Sequence, residues 1–413
     1  MKKLRKITFY IVFLSFGLIF LNCRNTREVA YEEIGITKPL AIDTLFELYL
    51  KKYRNFVDTN SDTTLFPRYY ADGKSHLVTS EDWTSGFFPG ILWYLYEYSG
   101  DEKMLKNAIS WTNSLLDQQL NTSSHDIGFI INSSFGHGYR LTNNESYKRV
   151  MNTAANSLAS RYDTNIGCIK SLDSFDSYVF PVLIDNMVNL EILYKARRWN
   201  DEDRFYNIAN EHALKTMEMH FKSDFSSFQV VDYNADTYKP TFKGTFQGYA
   251  DSSSWSRGQA WGLYGFVLAY RETKDRVYLD QSVRVANYIL GDKNFLTECI
   301  PYWDFKAPDI PNTYHDASAA AIMASAFIEL SSYPEVDRPE QYLSVAENII
   351  RSLVTKDYIA EENECENFVL KHSVGNKPAG TEVDVSLIYG DYYLLEALLK
   401  YKNTIKYSMY ENE

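Results

Sequence analysis

Two aspartates in this sequence lie against apolar residues, with no lysine or arginine in their segments. Asp126 is in "SSHDIGFIINSSF", beside His125, and Asp185 is in "YVFPVLIDNMVNLEILY". A carboxyl in apolar surroundings has a raised pKa, and a second carboxylate nearby raises it further. The two aspartates together predict a general acid, Asp185, with an acidic partner, Asp126. An aspartate before a helix is also a common N-cap, so Asp185 has a structural alternative.

A later segment carries amide, guanidinium and indole groups. In "FQGYADSSSWSRGQAWGLYGF", Gln247 precedes Arg257 and Trp261, whose spacing of i and i+4 places them on one helical face. A guanidinium binds a carboxylate in fork geometry, and an indole stacks on a sugar ring. The same pair is also typical of a cation–π contact in a core. The segment therefore indicates either a site for a sugar carboxylate or a packed pair.

Trp83 stands before the helix entrance "FFPGILWY", where its indole could lie at the rim of a pocket. With 33 Tyr, 24 Phe and 7 Trp, the chain is 15% aromatic, which suits stacking on sugars and equally suits a filled core. The sequence contains no nucleophile elbow, phosphate-binding loop, H-E-x-x-H motif or dinucleotide fingerprint. The sequence therefore offers no local motif for a metal or a nucleotide cofactor.

Helices dominate the predicted elements. Eleven or twelve helical segments follow one another, and many begin with Asp, Glu or Asn at the cap or first turn. They come in pairs, one polar-faced and the next apolar with small residues, as in "SAAAIMASA". Strand signals are few, and the clearest is a hairpin in "FSSFQVVDYNADTYKP". The pattern predicts a single all-α domain, a toroid of six helical hairpins whose loops surround a pocket at one end.

The N-terminus has the features of an export signal. Four basic residues precede the apolar run "ITFYIVFLSFGLIFL", which is too short to be a typical spanning helix and is followed closely by Cys23. We expect residues 1–22 to be a signal peptide of lipoprotein type, with Cys23 lipidated and residues 24–413 forming the catalytic domain. Ordinary cleavage and an uncleaved anchor are the alternatives. The expected location is the periplasm or outer membrane of a Gram-negative bacterium, attached through the lipid.

Charge and cysteine content narrow the function classes. The net charge of −12 and pI of about 5.2 argue against a nucleic-acid partner. Beyond Cys23, the chain has Cys168, Cys299 and Cys365, an odd number without the spacing of a zinc motif. We expect these three to be buried apolar residues.

Read together, several motifs resemble the unsaturated glucuronyl hydrolases of glycoside hydrolase family 88. They include "WTSGFFPGILWYLYE", "HDIGF", "FPVLIDNMVNLEIL", "GYADSSSWSRGQAWGLYGF", "HDASAAAIMASAFIEL" and "KPAGTEVDVSLIYGDYYLLEAL". The resemblance covers roughly residues 40 to 402 and implies an (α/α)6 barrel. It also implies a substrate made by a polysaccharide lyase, an oligosaccharide ending in a 4-deoxy-4,5-unsaturated uronic acid. Such an enzyme hydrates the C4=C5 enol ether, after which the glycosidic bond falls apart.

The resemblance assigns roles to individual residues. Asp185 protonates C4 and activates water, while Asp126 orients the ring hydroxyls and keeps its partner protonated. The residues expected to bind substrate are Trp83, His125, Gln229, Gln247, Arg257 and Trp261. No metal or cofactor is implied.

Two positions depart from the pattern of that family. Gln229 stands where a histidine is common before "VVDY", and Leu172 stands where many members have tryptophan. We therefore expect the chemistry to be kept more closely than the substrate preference. Two alternatives stay open: an unsaturated rhamnogalacturonyl hydrolase of family 105, acting on pectin fragments, and a carbohydrate-binding surface lipoprotein without catalysis.

Overall fold

In the computed structural model of the protein, which describes residues 40–173, 177–200 and 203–410, inner and outer helices alternate along the chain. Nothing is described of the side chains of residues 406–410. The inner helices are α2 (Phe87–Ser99), α4 (Ile127–Ile131), α5 (His137–Thr142), α7 (Asn186–Asn189), α8 (Glu191–Asn200), α10 (Ser256–Thr273), α13 (Ala317–Ser331) and α15 (Ile388–Tyr410). The outer helices are α1 (Ile42–Thr59), α3 (Glu102–Asn113), α6 (Glu145–Ala159), α9 (Asp203–Met219), α11 (Arg276–Leu290) and α14 (Pro339–Leu353), with a short α12 (Lys293–Glu298) after α11.

The inner helices form a closed ring. Helix α2 packs beside the π-helical turn Asn132–Gly136, which joins α4 to α5, and α4 packs on α7. Helix α10 then contacts α7, α8 and α13, and α15 closes the ring between α13 and α2. Each inner segment is followed or preceded by an outer helix that returns the chain, so the inner helices run parallel. The predicted all-α (α/α)6 barrel, with one compact unit from Ile42 onward, is confirmed.

Residue composition explains which helices are inside. Helices α10 and α13 are buried around almost their whole circumference, and their alanines, serines and glycines let neighbours approach closely. The outer helices α6, α11 and α14 are amphipathic and bury one face. Several helices begin where predicted, because an aspartate or asparagine accepts a hydrogen bond from their first turn. These caps are Asp101, Asn144, Asp275, Asp292 and Asp316.

Short strands line the loops at the end of the barrel where the inner helices begin. Nine are present in the described residues, more than the sequence indicated, and the hairpin β6–β7 is the one that was predicted. They form sheets in the orders β2-β1-β9-β8, β3-β4 and β5-β6-β7. Their bounds are β1 (Phe66–Ala71), β2 (Lys74–Val78), β3 (Tyr162–Asp163), β4 (Cys168–Ile169), β5 (Pro181–Leu183), β6 (Val230–Tyr233), β7 (Pro240–Gly244), β8 (Ser373–Asn376) and β9 (Thr381–Leu387).

The predicted signal peptide 1–22 and Cys23 lie outside the described residues. None of the helices that the structure describes is both long enough and apolar enough to cross a membrane. Cys168 and Cys299 are buried and Cys365 is half-buried, all three as free thiols.

Candidate active site

The two aspartates come together because the helices that follow them touch. Asp126 immediately precedes α4 and Asp185 immediately precedes α7. A side chain on Gly128 would lie only 2.4 Å from Asn189 Oδ1, so glycine is required for this approach. The same amide oxygen accepts a hydrogen bond from Phe129 N at 2.6 Å. The glycine of "HDIGF" therefore lets α4 pack against α7.

His125 lies between the two carboxyl groups. Its Nε2 is 3.4 Å from Asp126 Oδ1 and 3.8 Å from Asp185 Oδ1. The carboxyls keep 16% and 18% of their side-chain surface exposed, whereas the imidazole is buried. Ser124 Oγ donates a 2.6 Å hydrogen bond to Asp126 Oδ2. Both acids are thus partly accessible to solvent, with a single imidazole shared between them.

Burial raises the pKa of Asp185 to about 6. The charge of Asp126 also raises this pKa, while His125 and Arg257 act in the opposite direction. Within the described part of the chain, Asp185 Oδ1 is buried and has no hydrogen-bond partner. Such a carboxyl favours its protonated form compared with an ordinary aspartate.

The capping alternative for Asp185 is wrong. Its side chain makes no cap hydrogen bond to α7, and the side chain of Asp126 makes none to α4. Asp275 and Asp316, which also precede helices, do accept from the first turn. The carboxyls of Asp126 and Asp185 therefore do not cap the helices that follow them.

Gln229, directly before β6, is hydrogen-bonded through its side chain to Gln247. Gln229 Nε2 donates to Gln247 Oε1 at 2.5 Å, and Gln247 Nε2 donates to Gly375 O at 2.9 Å. Gln229 is 2% exposed, whereas Gln247 is half-buried. The predicted contact between Gln229 and substrate stays a prediction, and its burial points to another role.

Arg257 is held by the protein itself. Its Nη1 donates to Asp316 Oδ2 at 3.1 Å and to Val374 O, and its Nη2 donates to Gly375 O at 2.7 Å. The guanidinium lies 4.6 Å from the ring of Trp255. The sequence analysis paired Arg257 with Trp261, and this pairing was wrong. Arg257 does make a cation–π contact, but its partner is Trp255. The cause is the extended backbone at Trp255, which precedes α10.

The two predicted tryptophans differ in exposure. Trp83 is half-buried at the pocket and packs against Tyr389, with ring centroids 5.0 Å apart. Trp261 is 1% exposed, because it packs between Phe129 and Tyr393 at 5.3 Å from each. Trp83 can therefore offer a face to a sugar, while stacking by Trp261 stays a prediction.

The sequence did not identify Ser124 or Tyr389. Ser124 orients Asp126, and Tyr389 lies under both Trp83 and Arg257, with its ring 5.3 Å from the guanidinium. Tyr389 comes more than a hundred residues after its neighbours, so local patterns carry no signal for it. Leu172, the other departure noted in the sequence, is half-buried and forms a β-bridge with Ser124.

A cavity of about 270 Å³ lies at the other end of the barrel, near the C-terminal halves of the inner helices. Phe129 and Tyr393 line its inner end, and Phe129 also packs on Trp83, so an aromatic layer separates the cavity from the two aspartates. Its polar lining includes charged residues from five inner helices: Glu97, Arg140, Glu191, Lys195, Arg271, Glu396 and Lys400. Among the described residues, no group of three His, Cys, Asp or Glu is arranged to hold a metal ion.

Comparison with known proteins is consistent with this geometry. The model of Glycosyl Hydrolase Family 88 matches residues 63–404. An unsaturated glucuronyl hydrolase of Formosa agariphila is 37% identical over 97% of this chain and 100% of the relative.

Solved structures show the same fold. One, of an unsaturated glucuronyl hydrolase specific for heparin, has a TM-score of 0.85 and 37% identity, covering 88% of this chain and 98% of that one. Another is an aspartate-to-asparagine mutant of the Streptococcus agalactiae enzyme complexed with dGlcA-GalNAc6S. It has a TM-score of 0.77 and 28% identity, and covers 91% of this chain and 95% of the other.

Proposed function

The chain belongs to glycoside hydrolase family 88, and we propose that it removes a 4-deoxy-4,5-unsaturated glucuronate from the non-reducing end of oligosaccharides released by a polysaccharide lyase. Ulvan, glycosaminoglycans or a similar polysaccharide would be the source. Support comes from relatives that carry this activity in their names and from a related enzyme complexed with dGlcA-GalNAc6S.

The observation that carries the mechanism is the state of Asp185. It is a carboxyl at the pocket whose pKa is raised to about 6, which caps no helix and whose Oδ1 has no hydrogen-bond partner in the described residues. A carboxyl of this kind holds a proton close to neutral pH and can deliver it to a bound substrate. Ordinary glycosidases direct such a pair at the anomeric carbon. Here the proton would go to C4 of the unsaturated uronate.

The proposed reaction consumes one water. The Asp185 carboxyl transfers its proton to C4, the alkene electrons form the new C–H bond, and positive charge develops at C5 beside the ring oxygen. Water then attacks C5 and returns a proton to the Asp185 carboxylate, which acts as general base. The resulting hemiketal opens to a ketone, and the hemiacetal freed at C1 releases the second sugar. The carboxyl is restored without net proton exchange.

Asp126 would keep this proton on Asp185 and orient the sugar. Its negative charge raises the pKa of Asp185, and Ser124 holds one of its oxygens in place. The other oxygen, Oδ1, lies near His125 and would accept a hydrogen bond from a ring hydroxyl.

Trp83, Gln247 and Arg257 would hold the unsaturated ring. Trp83 is half-buried and offers an aromatic face, and Gln247 is the more exposed of the two glutamines. Arg257 places positive charge near Asp185, which favours an anionic uronate even though its own hydrogen bonds go to Asp316 and β8.

The test uses the ultraviolet absorbance of the C4=C5 double bond, which is conjugated to the carboxylate. The purified protein is mixed with lyase digests of ulvan, chondroitin and heparin, and with unsaturated galacturonyl-rhamnose from pectin. Decay of the signal on one of the first three, with release of a shortened sugar, is expected. Turnover of the pectin product alone would support an unsaturated rhamnogalacturonyl hydrolase activity instead. Saturable binding with unchanged absorbance on every sugar would leave only a carbohydrate-binding protein.

We also propose that the protein is exported and lipidated at Cys23, on the basis of the N-terminal sequence. Full-length protein expressed in a Gram-negative host should incorporate labelled palmitate and partition into detergent. The Cys23→Ser variant should do neither. Equal labelling of both proteins would exclude this anchor.

A further inference from the structure

The side chain of Gln229 is committed to one loop. Its Oε1 accepts three hydrogen bonds, from Thr245 Oγ1 at 2.8 Å, Phe246 N at 3.0 Å and Gln247 N at 3.0 Å. Its Nε2 donates to Gln247 Oε1 at 2.5 Å. With 2% of its surface exposed, the residue has no face for a sugar. Both polar atoms of this buried amide thus hold residues 245–247.

The backbone of Gln229 reaches the catalytic strand. Ile184 N, directly before Asp185, donates to Gln229 O at 2.9 Å, and Gln229 N donates to Gly244 O at 3.0 Å. These two bonds continue the pairing of β5 with β6 and of β6 with β7. One residue therefore joins the strand that leads to the acid with the loop that carries Gln247.

Gln229 also determines which way the Gln247 amide points. In a carboxamide only the oxygen accepts a hydrogen bond, so the donation from Gln229 Nε2 requires Oε1 of Gln247 to face it. The amino group of Gln247 then faces away, where one N–H reaches Gly375 O at 2.9 Å. Arg257 Nη2 donates to the same carbonyl at 2.7 Å. The second N–H of the Gln247 amide has no acceptor among the described residues.

We propose that Gln229 is a positioning residue that acts through Gln247: it fixes the Gln247 amide with an N–H toward the carboxylate or hydroxyl of the bound uronic acid, and does not contact the sugar itself. The substrate named here rests on the proposed function. Because an amide does not ionise, this orientation is independent of pH across the working range of Asp185.

The Gln229→Ala variant separates the side-chain bonds from the backbone bonds. The bonds at Ile184 and Gly244 involve only main-chain atoms of residue 229 and are kept, so the strand before Asp185 stays in place. We expect KM to rise about tenfold, the size of one or two lost hydrogen bonds. The value of kcat should change less than about threefold, and the pH dependence of kcat should not move. A large fall in kcat at unchanged KM would overturn the proposal.

A double-mutant cycle with Gln247→Ala tests whether one residue acts through the other. If Gln229 works only by holding Gln247, the double variant should have the same KM as Gln247→Ala alone. If the increase in KM of the double variant equals the product of the two single increases, Gln229 contributes to binding on its own. That result would contradict the proposal. The Gln229→Glu variant keeps acceptors for the 245–247 loop but cannot donate to Gln247, so its KM should also rise.

Two further measurements keep the proposal testable if Gln229→Ala does not fold or if the enzyme shows no turnover. If Gln229→Ala does not fold, Thr245→Val removes one donor to Gln229 while Thr245→Ser keeps it, and only the valine variant should raise KM. A crystal structure of Gln229→Ala needs no turnover, and the Gln247 amide should be rotated or displaced in it. An unmoved amide would refute the positioning role, whereas inactivity of the wild-type enzyme on every unsaturated sugar would refute only the proposed function.

Discussion

Buried carboxyls lie at both ends of the barrel, and they behave in opposite ways. At the end where the inner helices begin, the pKa of Asp185 is raised to about 6 by burial. At the other end, burial alone would raise the pKa of Glu329, but the charges of Arg271 and Lys400 outweigh it and lower this pKa to about 2. Arg271 Nη1 donates to both oxygens of Glu329 at 2.9 Å, and Lys400 Nζ donates to one of them at 3.0 Å.

Glu191, also at the cavity end, follows the same rule as Glu329. Lys195 and Arg271 each lie 2.9 Å from it, and its pKa is lowered below the usual range despite its burial. Desolvation therefore raises the pKa of a carboxyl at both ends. Paired cations decide whether the final pKa lies above or below the usual value. The cavity end uses its charges to hold helices α8, α10, α13 and α15 together. The site end leaves a carboxyl unpaired, which is unfavourable for stability and useful for proton transfer.

The largest expected effect is on activity at the site end. Asp185→Asn keeps the shape of the side chain but cannot donate an acidic proton, so kcat should fall by roughly a thousandfold. The measurement is the decay of the ultraviolet absorbance of the C4=C5 bond, with circular dichroism as the check on folding. Turnover within tenfold of wild type in a folded variant would remove Asp185 from the role of acid.

The matching change at the cavity end should affect stability instead. Glu329→Gln removes the carboxylate that Arg271 and Lys400 share. Each cation keeps another ion pair, with Glu191 or with Glu396 respectively. The free energy of unfolding should fall by about 2 kcal/mol. The value of kcat should stay within about threefold of wild type, because the aromatic layer lies between the two ends. Glu340→Gln on the exposed surface of α14 is the control and should change neither quantity. Loss of kcat without loss of stability would contradict this division of roles.

The pH dependence of stability should differ between the ends. The pKa of Asp185 is raised from 3.8 to about 6 in the folded state. Its contribution to the free energy of unfolding is therefore fully present below pH 4, and up to about 3 kcal/mol of it is lost as the pH rises through 6. Asp185→Asn should therefore be more stable than wild type at pH 8, by urea denaturation, and no more stable at pH 4. For Glu329, whose pKa is lowered, stability is present above pH 4.5 and lost as the pH falls toward 2. Equal stability of Asp185→Asn and wild type at pH 8 would argue against a desolvated carboxylate.

A smaller effect concerns the neighbour of the acid. Activity that needs protonated Asp185 should decline above about pH 6. Asp126→Asn removes a negative charge that raises this pKa, so the residual activity should decline from a lower pH, by roughly half a pH unit. A pH–rate profile of kcat measures the change. If the pH at which kcat declines stays the same or rises in Asp126→Asn, the charge of Asp126 does not raise the pKa of Asp185.

The sequence predicted the barrel and the pair of acids because both depend on local patterns. Helical periodicity, aspartate caps and apolar segments are readable over ten to twenty residues, and "HDIGF" even contains the glycine that brings α4 against α7. The capping alternative for Asp185 could be excluded only with side-chain geometry in hand.

The rest depends on contacts between distant positions. Strand β1 pairs with β9 more than three hundred residues later, so the four-stranded sheet had no local signal. Arg257 was paired with the wrong tryptophan because its neighbours Asp316, Val374 and Gly375 come from other segments. The paired charges at the cavity end were missed for the same reason, since each ion pair to Arg271 from Glu191 or Glu329 joins different helices.

The transfer of a proton from Asp185 to C4 can be observed by running the reaction in deuterium oxide and examining the released keto-acid by NMR at early times. Wild-type enzyme should place deuterium at C4 in one stereochemical position only, and Asp185→Asn should form no labelled product. Release of the second sugar with the C4=C5 bond intact, or without deuterium at C4, would show that this protein cleaves at the anomeric carbon instead.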